Sequence, residues 1–303
     1  MTTSVIQPLA SYRLTEYALP IPCYVCGTDN TLDAESCTRC LAPMALAHQV
    51  ASQGTEPRMV ATMGASGAGK TVYLGMLMDL LSHQPERLRL LARGAFSITL
   101  QQTTVAALAS CRFPGKTPNE PDRWNWVHCQ LRKPKQKHPL ELIMPDMAGD
   151  AVLEEVNHPH SYRVIEAFLK KCRAALILVD AVRIEDGARE EDYFAMKLLS
   201  YLSELVDRAR SGWEHRPVAV VFTKADQCEE CLEDPTEFAR RHAVGLWQQC
   251  RERFRCHRFF AAGVAGACAT LDSVTDGRVL APLRIEPRGI VEPFYWLLEQ
   301  LPS

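Results

Sequence analysis

Residues 64–71 read GASGAGKT, a spacing of glycine, lysine and threonine that suits a loop wrapped around a phosphate group. An apolar run, Met59 to Met63, precedes the loop, and a stretch with helical periodicity, Val72 to Leu81, follows it. Glycine lets successive backbone N–H groups turn towards an anion, and the helix start adds further N–H groups and a positive dipole end. A glycine-rich turn without a ligand is the alternative, but all positions of the pattern are filled and both flanks fit. The predicted phosphate-contacting residues are Gly64, Ala65, Ser66, Gly67, Ala68, Gly69, Lys70, Thr71 and Val72.

Two side chains of this loop carry the expected chemistry, and a third group lies further along the chain. The Lys70 ammonium should reach the β- and γ-phosphates of a nucleotide, and the Thr71 hydroxyl should ligate Mg²⁺. Asp146 follows an apolar run, Leu140–Pro145, and an acidic residue at the carboxyl end of a strand near such a loop is the expected holder of the Mg²⁺ shell. Gly149 lets the backbone approach the γ-phosphate. An ordinary strand-to-loop turn is the alternative for this segment.

Cysteines near the amino terminus form two Cys-x-x-Cys pairs, Cys23/Cys26 and Cys37/Cys40, with ten residues between the pairs. Two such pairs on tight turns place four thiolates tetrahedrally around Zn²⁺ at about 2.3 Å each, with no open coordination position. The predicted site is therefore structural, and zinc would supply on the order of 10 kcal/mol to a segment too small to fold on its own core. The alternative is two unrelated pairs of reduced thiols. Arg39 is the only basic residue from Cys23 to Cys40, which favours a protein-docking or lid role over nucleic acid binding.

The elements that must position these residues alternate between strand and helix. After the phosphate loop we predict a helix near Ser97–Ser110, a polar, proline-rich loop over Arg112–Arg123, and a hairpin formed by Trp124–Arg132 and Leu140–Pro145. The later strands and helices are predicted at Ala174–Asp180, Glu190–Arg210, Pro217–Phe222, Glu237–Phe254, Arg258–Ala262 and Gly289–Leu301. This order predicts an α/β fold: a mainly parallel central sheet, with one β-hairpin at its edge, covered by helices on both faces and preceded by the small zinc ribbon. Ligands of such sheets bind at the carboxyl ends of the strands.

The sequence divides into two predicted units. An amino-terminal segment, 1–50, contains the zinc ribbon, and residues 1–22 should be extended or irregular because they include three prolines and no clear period. Proline and glycine mark residues 43–57 as a linker. The α/β domain is predicted over residues 58–303.

Composition restricts the class of protein. With 303 residues, 47% apolar and 23% charged, the chain has an ordinary globular composition, and its net charge of −2 gives no general affinity for nucleic acid or anionic membranes. No apolar run approaches the roughly 20 residues of a membrane-spanning helix, and the first residues lack a secretory signal. We therefore expect a cytoplasmic protein whose twelve cysteines are metal ligands or buried thiols before they are disulfides.

The order of the motifs resembles that of the Ras-like P-loop GTPases over residues 58–301. Residues 64–71 match the first motif, Asp146 to Gly149 resembles the Asp-x-x-Gly of switch II, and Thr223 to Asp226 resembles the guanine-reading Asn-Lys-x-Asp with threonine for asparagine. Thr117 is the best candidate for the switch I threonine, and Ala261-Ala262-Gly263 occupies the place of the Ser-Ala-Lys motif. With the four-cysteine ribbon in front, the chain is similar to the second type of bacterial double-GTPase domain, which occurs in multi-gene systems beside large partner proteins.

The resemblance implies a role for each matched position. The Asp226 carboxylate would accept hydrogen bonds from guanine N1–H and the exocyclic amine, the Lys224 stem would cover the base, and a backbone N–H near Ala262 would meet guanine O6. A surface turn is the alternative for residues 223–226. The implied nucleotide contacts beyond the phosphate loop are Thr117, Thr223, Lys224, Asp226, Ala262 and Gly263. The implied magnesium ligands are Thr71, Thr117 and Asp146.

The resemblance also implies hydrolysis of GTP to GDP and phosphate, with Lys70, Gly149 and Asp150 at the reacting group. Asp150 stands where Ras-like enzymes carry the glutamine that orients the attacking water. A carboxylate can accept a hydrogen bond from that water, but it adds negative charge beside the γ-phosphate, so intrinsic hydrolysis should be slow. An arginine supplied by a partner raises such rates by roughly 10³–10⁵. Arg112 or Lys116 could act in this way within the chain, but a solvated loop charge is the favoured interpretation of each.

Two further patterns stay open at this stage. Cys228-x-x-Cys231 is a lone pair, and a second metal site would need additional ligands from His242, Cys250, Cys256 or His257. His158 and His160 form either a partner surface or part of a solvated loop.

Our leading hypothesis is a GTP-binding switch with slow, Mg²⁺-dependent hydrolysis. Bound triphosphate would order residues around 112–123 and 146–162 and so create a surface for a protein partner. The rivals are an ATPase of the wider P-loop class and a non-hydrolysing scaffold that docks through its zinc ribbon. The expected cofactors are GTP or GDP, Mg²⁺ and Zn²⁺, and the expected partner is a protein, with neither nucleic acid nor a membrane segment involved.

Overall fold

The computed structural model describes residues 19–83, 88–132, 139–205, 214–273 and 277–301. The irregular structure predicted for residues 1–18 and the basic turn of the predicted hairpin, 133–138, lie outside the described residues. The amino-terminal module contains two short antiparallel strands, β1 (Ile21–Pro22) and β2 (Asp29–Asn30). Each cysteine pair lies on a tight turn, closed by the backbone hydrogen bonds Gly27 N–H to Cys23 O and Leu41 N–H to Cys37 O.

The segment predicted as a linker, 43–57, is instead helical and partly buried. A 3-10 turn over Met44–Leu46 leads into helix α1 (Ala47–Gln53), which ends at Gly54 with φ of 63°. Met44 and Leu46 are each 1% exposed, so they belong to the hydrophobic core. The linker prediction was wrong because it weighed the flanking proline and glycine and overlooked the apolar side chains between them.

Seven strands of the described chain form the central sheet. They are β3 (Arg58–Gly64), β4 (Arg89–Arg93), β5 (Trp126–Arg132), β6 (Leu140–Pro145), β7 (Ala174–Asp180), β8 (Val218–Thr223) and β9 (His257–Ala261). Their spatial order is β4-β5-β6-β3-β7-β8-β9. The pairs β6–β3, β3–β7, β7–β8 and β8–β9 are parallel, whereas β5 is antiparallel to both of its neighbours. The predicted α/β class and the β5–β6 hairpin are confirmed, and β4 adds an edge strand that the sequence pattern did not indicate.

Helices cover both faces of the sheet. They are α2 (Lys70–His83), α3 (Gly94–Ala109), α4 (Gly149–Asn157), α5 (Arg163–Lys171), α6 (Ala181–Glu185), α7 (Arg189–Glu204), α8 (Glu229–Glu233), α9 (Pro235–His242), α10 (Val244–Arg253) and α11 (Glu292–Gln300). Alternate strand residues face opposite layers: Val60 packs with α2, α3 and α11, while Met59 and Ala61 pack with α4, α5, α7, α9 and α10.

One predicted helix is divided in two. The pattern over 237–254 indicated a continuous helix, but α9 ends at His242 and α10 begins at Val244. Between them Ala243 has φ of −124° and ψ of 57°, outside the helical region. Asp192 of α7 stabilises the new helix start, because its carboxylate accepts from the Leu246 N–H at 2.8 Å. This capping contact is tertiary, so no local pattern predicted it.

The amino-terminal module shares a hydrophobic core with the sheet. The Tyr24 ring lies 5.7 Å from the Trp126 ring, and the Trp126 ring lies 6.0 Å from that of Phe168 on α5. The Lys171 ammonium also donates to Tyr24 O at 3.0 Å. The division into units 1–50 and 58–303 stays a prediction, but the module packs directly on the α/β core.

A second hairpin follows the central sheet. Strands β10 (Gly263–Ser273) and β11 (Gly277–Arg288) pair antiparallel and form a separate two-stranded sheet. Its base lies beside a 3-10 turn, Ala225–Gln227, that follows β8. No strand or helix was predicted between Gly266 and Gly289, so this hairpin is known only from the structure.

Candidate nucleotide-binding site

The phosphate loop connects the end of β3 to the start of α2. Gly67 and Gly69 have φ of 83° and 79°, a left-handed conformation that side chains with a Cβ rarely adopt. The Lys70 side chain is 6% exposed, and its ammonium donates to Gly64 O at 3.0 Å and Ala65 O at 2.9 Å. Burial lowers the pKa of Lys70, and the nearby carboxylates of Asp146 and Asp150 oppose that shift. The ammonium thus lies folded against the loop, where phosphate oxygens can replace the two carbonyls.

Three oxygens meet beside Lys70 in an arrangement suited to a small cation. Thr71 Oγ1 lies 2.9 Å from Asp146 Oδ2 and 3.1 Å from Thr117 Oγ1, and Thr117 Oγ1 lies 3.2 Å from Asp146 Oδ2. Mg²⁺ takes octahedral oxygen ligands at about 2.1 Å, which sets neighbouring ligands about 3 Å apart. Asp146 Oδ1 is buried without a hydrogen-bond partner in the described residues, and burial raises the pKa of this carboxyl. This donor set fits Mg²⁺, since a cation would compensate a buried carboxylate.

The backbone of Gly149 passes against the phosphate loop. A Cβ at this position would lie 2.4 Å from Ser66 N and 2.6 Å from the carbonyl carbon of Ala65, so the close approach requires glycine. Gly149 is also the first residue of α4. The loop and α4 are therefore in contact where the outermost phosphate of a bound nucleotide would lie.

Asp150 is half exposed and faces two polar groups. Its Oδ2 lies 3.4 Å from Ser66 Oγ and 3.3 Å from the Lys116 ammonium. The neighbouring indoles hold this part of the chain in place, because Trp124 Nε1–H donates to Pro118 O at 2.8 Å and Trp126 Nε1–H donates to Pro121 O at 3.1 Å. The loop that carries Lys116 and Thr117 is thereby attached to the sheet.

The segment after β8 is attached to the phosphate loop by one hydroxyl. Thr223 Oγ1 lies 2.9 Å from Ala68 O and 3.1 Å from Val179 O and donates to these carbonyls. Lys224 follows in a left-handed conformation, with φ of 56°, and its ammonium pairs with the buried Asp180 carboxylate at the end of β7. Asp180 was not among the predicted residues, although an acidic residue at the carboxyl end of a parallel strand was a readable signal.

Asp226 carries a carboxylate oxygen, Oδ1, that is buried and has no hydrogen-bond partner in the described residues. Burial raises the pKa of Asp226, and Lys224 and Arg288 act in the opposite direction. A Cβ at Gly263 would lie 2.4 Å from this Oδ1, so Gly263 packs directly against the carboxylate. The Ala262 N–H, by contrast, donates to Phe222 O at 2.8 Å. Any amide that meets the base edge must therefore come from a neighbour of Ala262.

These segments surround one cavity of about 290 Å³. Predicted residues that line it are Ser66, Gly67, Gly69, Lys70, Thr71, Val72, Thr117, Gly149, Thr223, Lys224, Asp226, Ala262 and Gly263. Gly64, Ala65, Ala68, Asp146 and Asp150 do not line it, although Asp146 accepts a hydrogen bond from Thr71, which does. Segments far apart in sequence thus meet at a single opening, at the carboxyl ends of β3, β6 and β8.

A protein-family model matches the part of the chain that contains most of these segments. The family model for Double-GTPase 2 matches residues 58–259, more than half of the 303 residues. The chain belongs to the Double-GTPase 2 family. The resemblance inferred from the motif order is therefore confirmed. The match includes the phosphate loop and the segment Thr223 to Asp226, and it ends before Gly263 and the β10–β11 hairpin.

Solved structures match the chain at low sequence identity. A GDP complex of an ADP-ribosylation factor-like GTP-binding protein (small COPII coat GTPase SAR1) from Encephalitozoon cuniculi is 16% identical, with a TM-score of 0.38 over 80% of this chain and 79% of that one. A putative nucleolar GTP-binding protein 1 from Plasmodium falciparum is 11% identical, with a TM-score of 0.42 over 80% and 86%. A GTP-binding protein from Sulfolobus solfataricus, in complex with GDP, is 12% identical, with a TM-score of 0.31 over 71% and 50%. No curated protein matches the chain.

Some residues that line the cavity of this Double-GTPase 2 protein were not predicted from the sequence as nucleotide contacts. Phe113 and Pro114 come from the loop before Thr117, while Val264, Ala265 and Leu280 come from the β10–β11 hairpin. They make part of the cavity wall apolar. The loop residues lay inside a segment already singled out, but no motif marked the hairpin residues.

The four amino-terminal cysteines converge. Cys23 Sγ lies 3.6 Å from Cys40 Sγ, Cys26 Sγ lies 3.5 Å from Cys37 Sγ, and all four sulfurs lie within 4.8 Å of one another. Tetrahedral Zn²⁺ with Zn–S bonds of about 2.3 Å requires sulfurs about 3.8 Å apart, so the cluster fits this metal. The Cys40 thiol is the main cause that lowers the pKa of Cys23 to about 5, as expected for sulfurs that share protons.

Neighbouring groups support the cysteine cluster. The Asn30 side chain donates to Cys37 Sγ at 3.6 Å and accepts from the Thr38 N–H at 2.9 Å. In the described ranges no further group of three or more potential ligands comes together, so Cys228 and Cys231 lack the additional ligands of a second metal site.

Within the same ranges, no helix combines the length and apolar character needed to cross a bilayer.

Proposed function

We propose that this protein is a GTP-binding switch that hydrolyses GTP slowly with Mg²⁺ and regulates a partner protein. One observation carries the proposal: the phosphate loop, Thr117, Gly149 and the segment Thr223 to Asp226 line the same cavity. Membership of a GTPase family supports it independently. The cavity would therefore have a phosphate-binding end, at the phosphate loop, and a base end, where Asp226 supplies a polar group.

The base end favours guanine because of Asp226. Its Oδ1 is buried and finds no partner among the residues that the structure describes, and such an atom costs free energy until a donor reaches it. Guanine offers two adjacent donors, N1–H and the exocyclic amine, whereas adenine offers an acceptor at N1. Polar discrimination of this kind is strong, because the wrong base leaves the carboxylate unpaired.

The phosphate end would hold the triphosphate through the loop amides and Lys70. We assign Mg²⁺ to Thr71, Thr117 and Asp146, whose oxygens already lie within 3.2 Å of one another. When bound, the cation supplies neutralisation of charge on the phosphate oxygens. Because Thr117 lies on a loop attached mainly by the two indoles, its contact with this site can depend on the nucleotide.

Hydrolysis requires a water to attack the γ-phosphorus while the bond to the β–γ bridging oxygen breaks, giving GDP and inorganic phosphate. We propose that Asp150 accepts a hydrogen bond from this water, that the Gly149 N–H orients the γ-phosphate, and that Lys70 stabilises charge on the phosphate oxygens. The Asp150 charge close to the γ-phosphate keeps the intrinsic rate low, so a partner that supplies an arginine would accelerate it.

The switch acts through two segments, 112–123 and 146–162, which carry Thr117 and Gly149. Loss of the γ-phosphate removes the contacts that would hold Thr117 and Gly149 at the site. The two segments then rearrange, and a partner distinguishes the two states. A structural Zn²⁺ held by the four cysteines would fix the amino-terminal module against α5, as a second contact for the partner. The cytoplasmic location and the bacterial multi-gene setting stay predictions.

Nucleotide titration of purified protein and its Asp226→Asn variant tests the proposal. We expect GTP and GDP to bind at least about 100-fold more tightly than ATP. Asp226→Asn should lose this preference for guanine nucleotides and gain affinity for xanthosine triphosphate. The asparagine amide can donate a hydrogen bond to the carbonyl that xanthine has in place of the guanine amine. Gain of a new ligand separates this result from unfolding. Tighter binding of ATP that is unaffected by Asp226→Asn would contradict the proposal.

A further inference from the structure

A cleft of about 880 Å³ lies between the cysteine module and α5. Val25, Cys26, Arg39 and Cys40 form one wall, and residues 163–173 form the other. The cleft and the nucleotide cavity have no lining residue in common. Its occupant can therefore bind without competing with a nucleotide.

The cleft concentrates positive charge in a chain whose net charge is −2. Its basic side chains are Arg39, Arg163, Lys170, Lys171, Arg173 and Arg216, against the two acidic side chains of Glu166 and Glu214. Among the described lining residues, which also include His160, six positive and two negative groups leave an excess of four positive charges. Such a local excess attracts anionic groups and orients them before contact.

Both glutamates of the cleft are already paired. Glu166 Oε1 lies 2.5 Å from the Lys170 ammonium, and Glu214 Oε2 lies 3.0 Å from Arg216 Nη2. The positive charge that is left over therefore belongs to other side chains.

Three exposed arginines carry that remaining charge. Arg39, Arg163 and Arg173 are exposed, and none has an ion-pair partner elsewhere in the described part of the chain. Lys171, by comparison, pairs with Glu56 at 2.9 Å. The three guanidinium groups come from both walls and are available to a ligand that enters between them.

The lining indicates which anion fits. Guanidinium forks bind carboxylates through two parallel hydrogen bonds. Among the described residues that line the cleft, His160 is the only one with an aromatic ring on which a nucleic acid base could stack, which favours a peptide over single-stranded nucleic acid. We propose that this cleft is the docking site for a glutamate- and aspartate-rich segment of a partner protein. This docking proposal rests on the proposed function in one respect only, because both require a protein partner.

An acidic peptide tests the docking site directly. We would measure fluorescence anisotropy of a fluorescein-labelled glutamate octapeptide with the full zinc-loaded chain. We expect saturable binding that weakens with salt. Arg163→Glu/Arg173→Glu should weaken it about tenfold or more, since each exposed pair contributes up to about a factor of five. The same variant should gain affinity for a lysine octapeptide.

A matched control uses Arg89→Glu/Arg189→Glu, which reverses two exposed arginines that do not line the cleft. Its affinity for the glutamate peptide should stay within about twofold of the original. Arg39→Ser, on the opposite wall, provides an independent variant with an expected loss of about threefold. Thermal unfolding and GDP binding, measured on every variant, report folding and the nucleotide site separately from docking.

Three outcomes would overturn the proposal: no binding of the glutamate peptide, equal loss in the control variant, or tighter binding of an oligouridine that depends on the same arginines. A benzophenone group at the peptide end adds a positional check. It should crosslink to the cysteine module and to α5, and crosslinks confined to other surfaces would also contradict docking here. Failure of GDP binding alone would contradict the proposed function and leave this test intact.

Discussion

The Lys116 ammonium lies 3.3 Å from Asp150 Oδ2, so an ion pair connects the loop before β5 to the first turn of α4. Both side chains are at least half exposed, and such a pair contributes at most about 1 kcal/mol to folding stability. Its importance lies in its position. Lys116 lines the nucleotide cavity, and Asp150 is adjacent to Gly149, which touches the phosphate loop. The pair therefore offsets the negative charge that Asp150 brings to the proposed reaction centre.

Removing the positive charge should slow hydrolysis. We expect Lys116→Ala to lower the single-turnover rate of GTP hydrolysis about tenfold, because the variant leaves Asp150 uncompensated beside the γ-phosphate. GDP affinity should change less than about threefold, since GDP lacks that phosphate. Arg89→Ala, which removes an exposed positive charge on β4, is the control. Equal rates for Lys116→Ala and the original protein would show that Lys116 is only a solvated loop charge.

The hydroxyl of Thr223 should stabilise nucleotide binding through the phosphate loop. Thr223→Val keeps the side-chain shape but removes the donor to Ala68 O, a contact of 2.9 Å in a buried position. We expect GDP and GTP affinity to fall about tenfold, which corresponds to the cost of about one unsatisfied buried acceptor. Calorimetric titration measures this change. Thr103→Val, an exposed change on α3, should leave both affinities unchanged. A similar loss of affinity in Thr103→Val would disprove a specific role of the Thr223 hydroxyl.

The buried carboxyl of Asp226 should make nucleotide-free stability depend on pH. Burial raises its pKa above the ordinary value of 3.8, so the folded state binds this proton more tightly than the unfolded state. The stabilising contribution is complete below about pH 4 and is lost as pH rises through the raised pKa. Relative to Asp226→Asn, the original protein should therefore lose free energy of unfolding over that window. Denaturant titrations at several pH values measure the difference.

Bound GDP should change the sign of this dependence, since guanine donors favour the ionised carboxylate. Thr103→Val, an exposed change that removes no ionisable group, is the control and should keep the pH dependence of the original protein. A difference between the original protein and Asp226→Asn that stays constant with pH would mean that Asp226 is not desolvated.

Removal of the metal from the cysteine cluster should destabilise more than the amino-terminal module. Cys26→Ser, or a chelator, should lower the free energy of unfolding by about 3 kcal/mol or more, because the module supports the Tyr24–Trp126–Phe168 contacts. Elemental analysis should find about one zinc per chain in the original protein and much less in Cys26→Ser. The tryptophan fluorescence, to which Trp126 contributes, reports the loss of packing. Cys111→Ser, at an exposed cysteine, should retain the metal and the stability.

Local patterns predicted much of this molecule. The sequence pattern placed β7 at Ala174–Asp180 and the β5–β6 hairpin within two residues of their observed bounds. Helix α5 also had a readable signal that was missed, with apolar residues Val164, Ile165, Phe168 and Leu169 on one face. The β10–β11 hairpin lacked such a signal, because its strands alternate irregularly and contain bulges. Strand β4 depends on an antiparallel partner more than 30 residues away, so its own five residues do not specify it.

The amino-acid sequence by itself determined the phosphate loop, the cysteine pairs and the α/β class, because these depend on glycine conformation, ligand spacing and strand periodicity over a few neighbouring residues. Only the tertiary structure decided that Thr117 meets Thr71 and Asp146, that Lys116 pairs with Asp150, and that the cysteine module forms a basic cleft with α5. Those contacts join segments separated by tens to more than a hundred residues. Their geometry follows from how the helices, loops and sheet pack together, which no local pattern encodes.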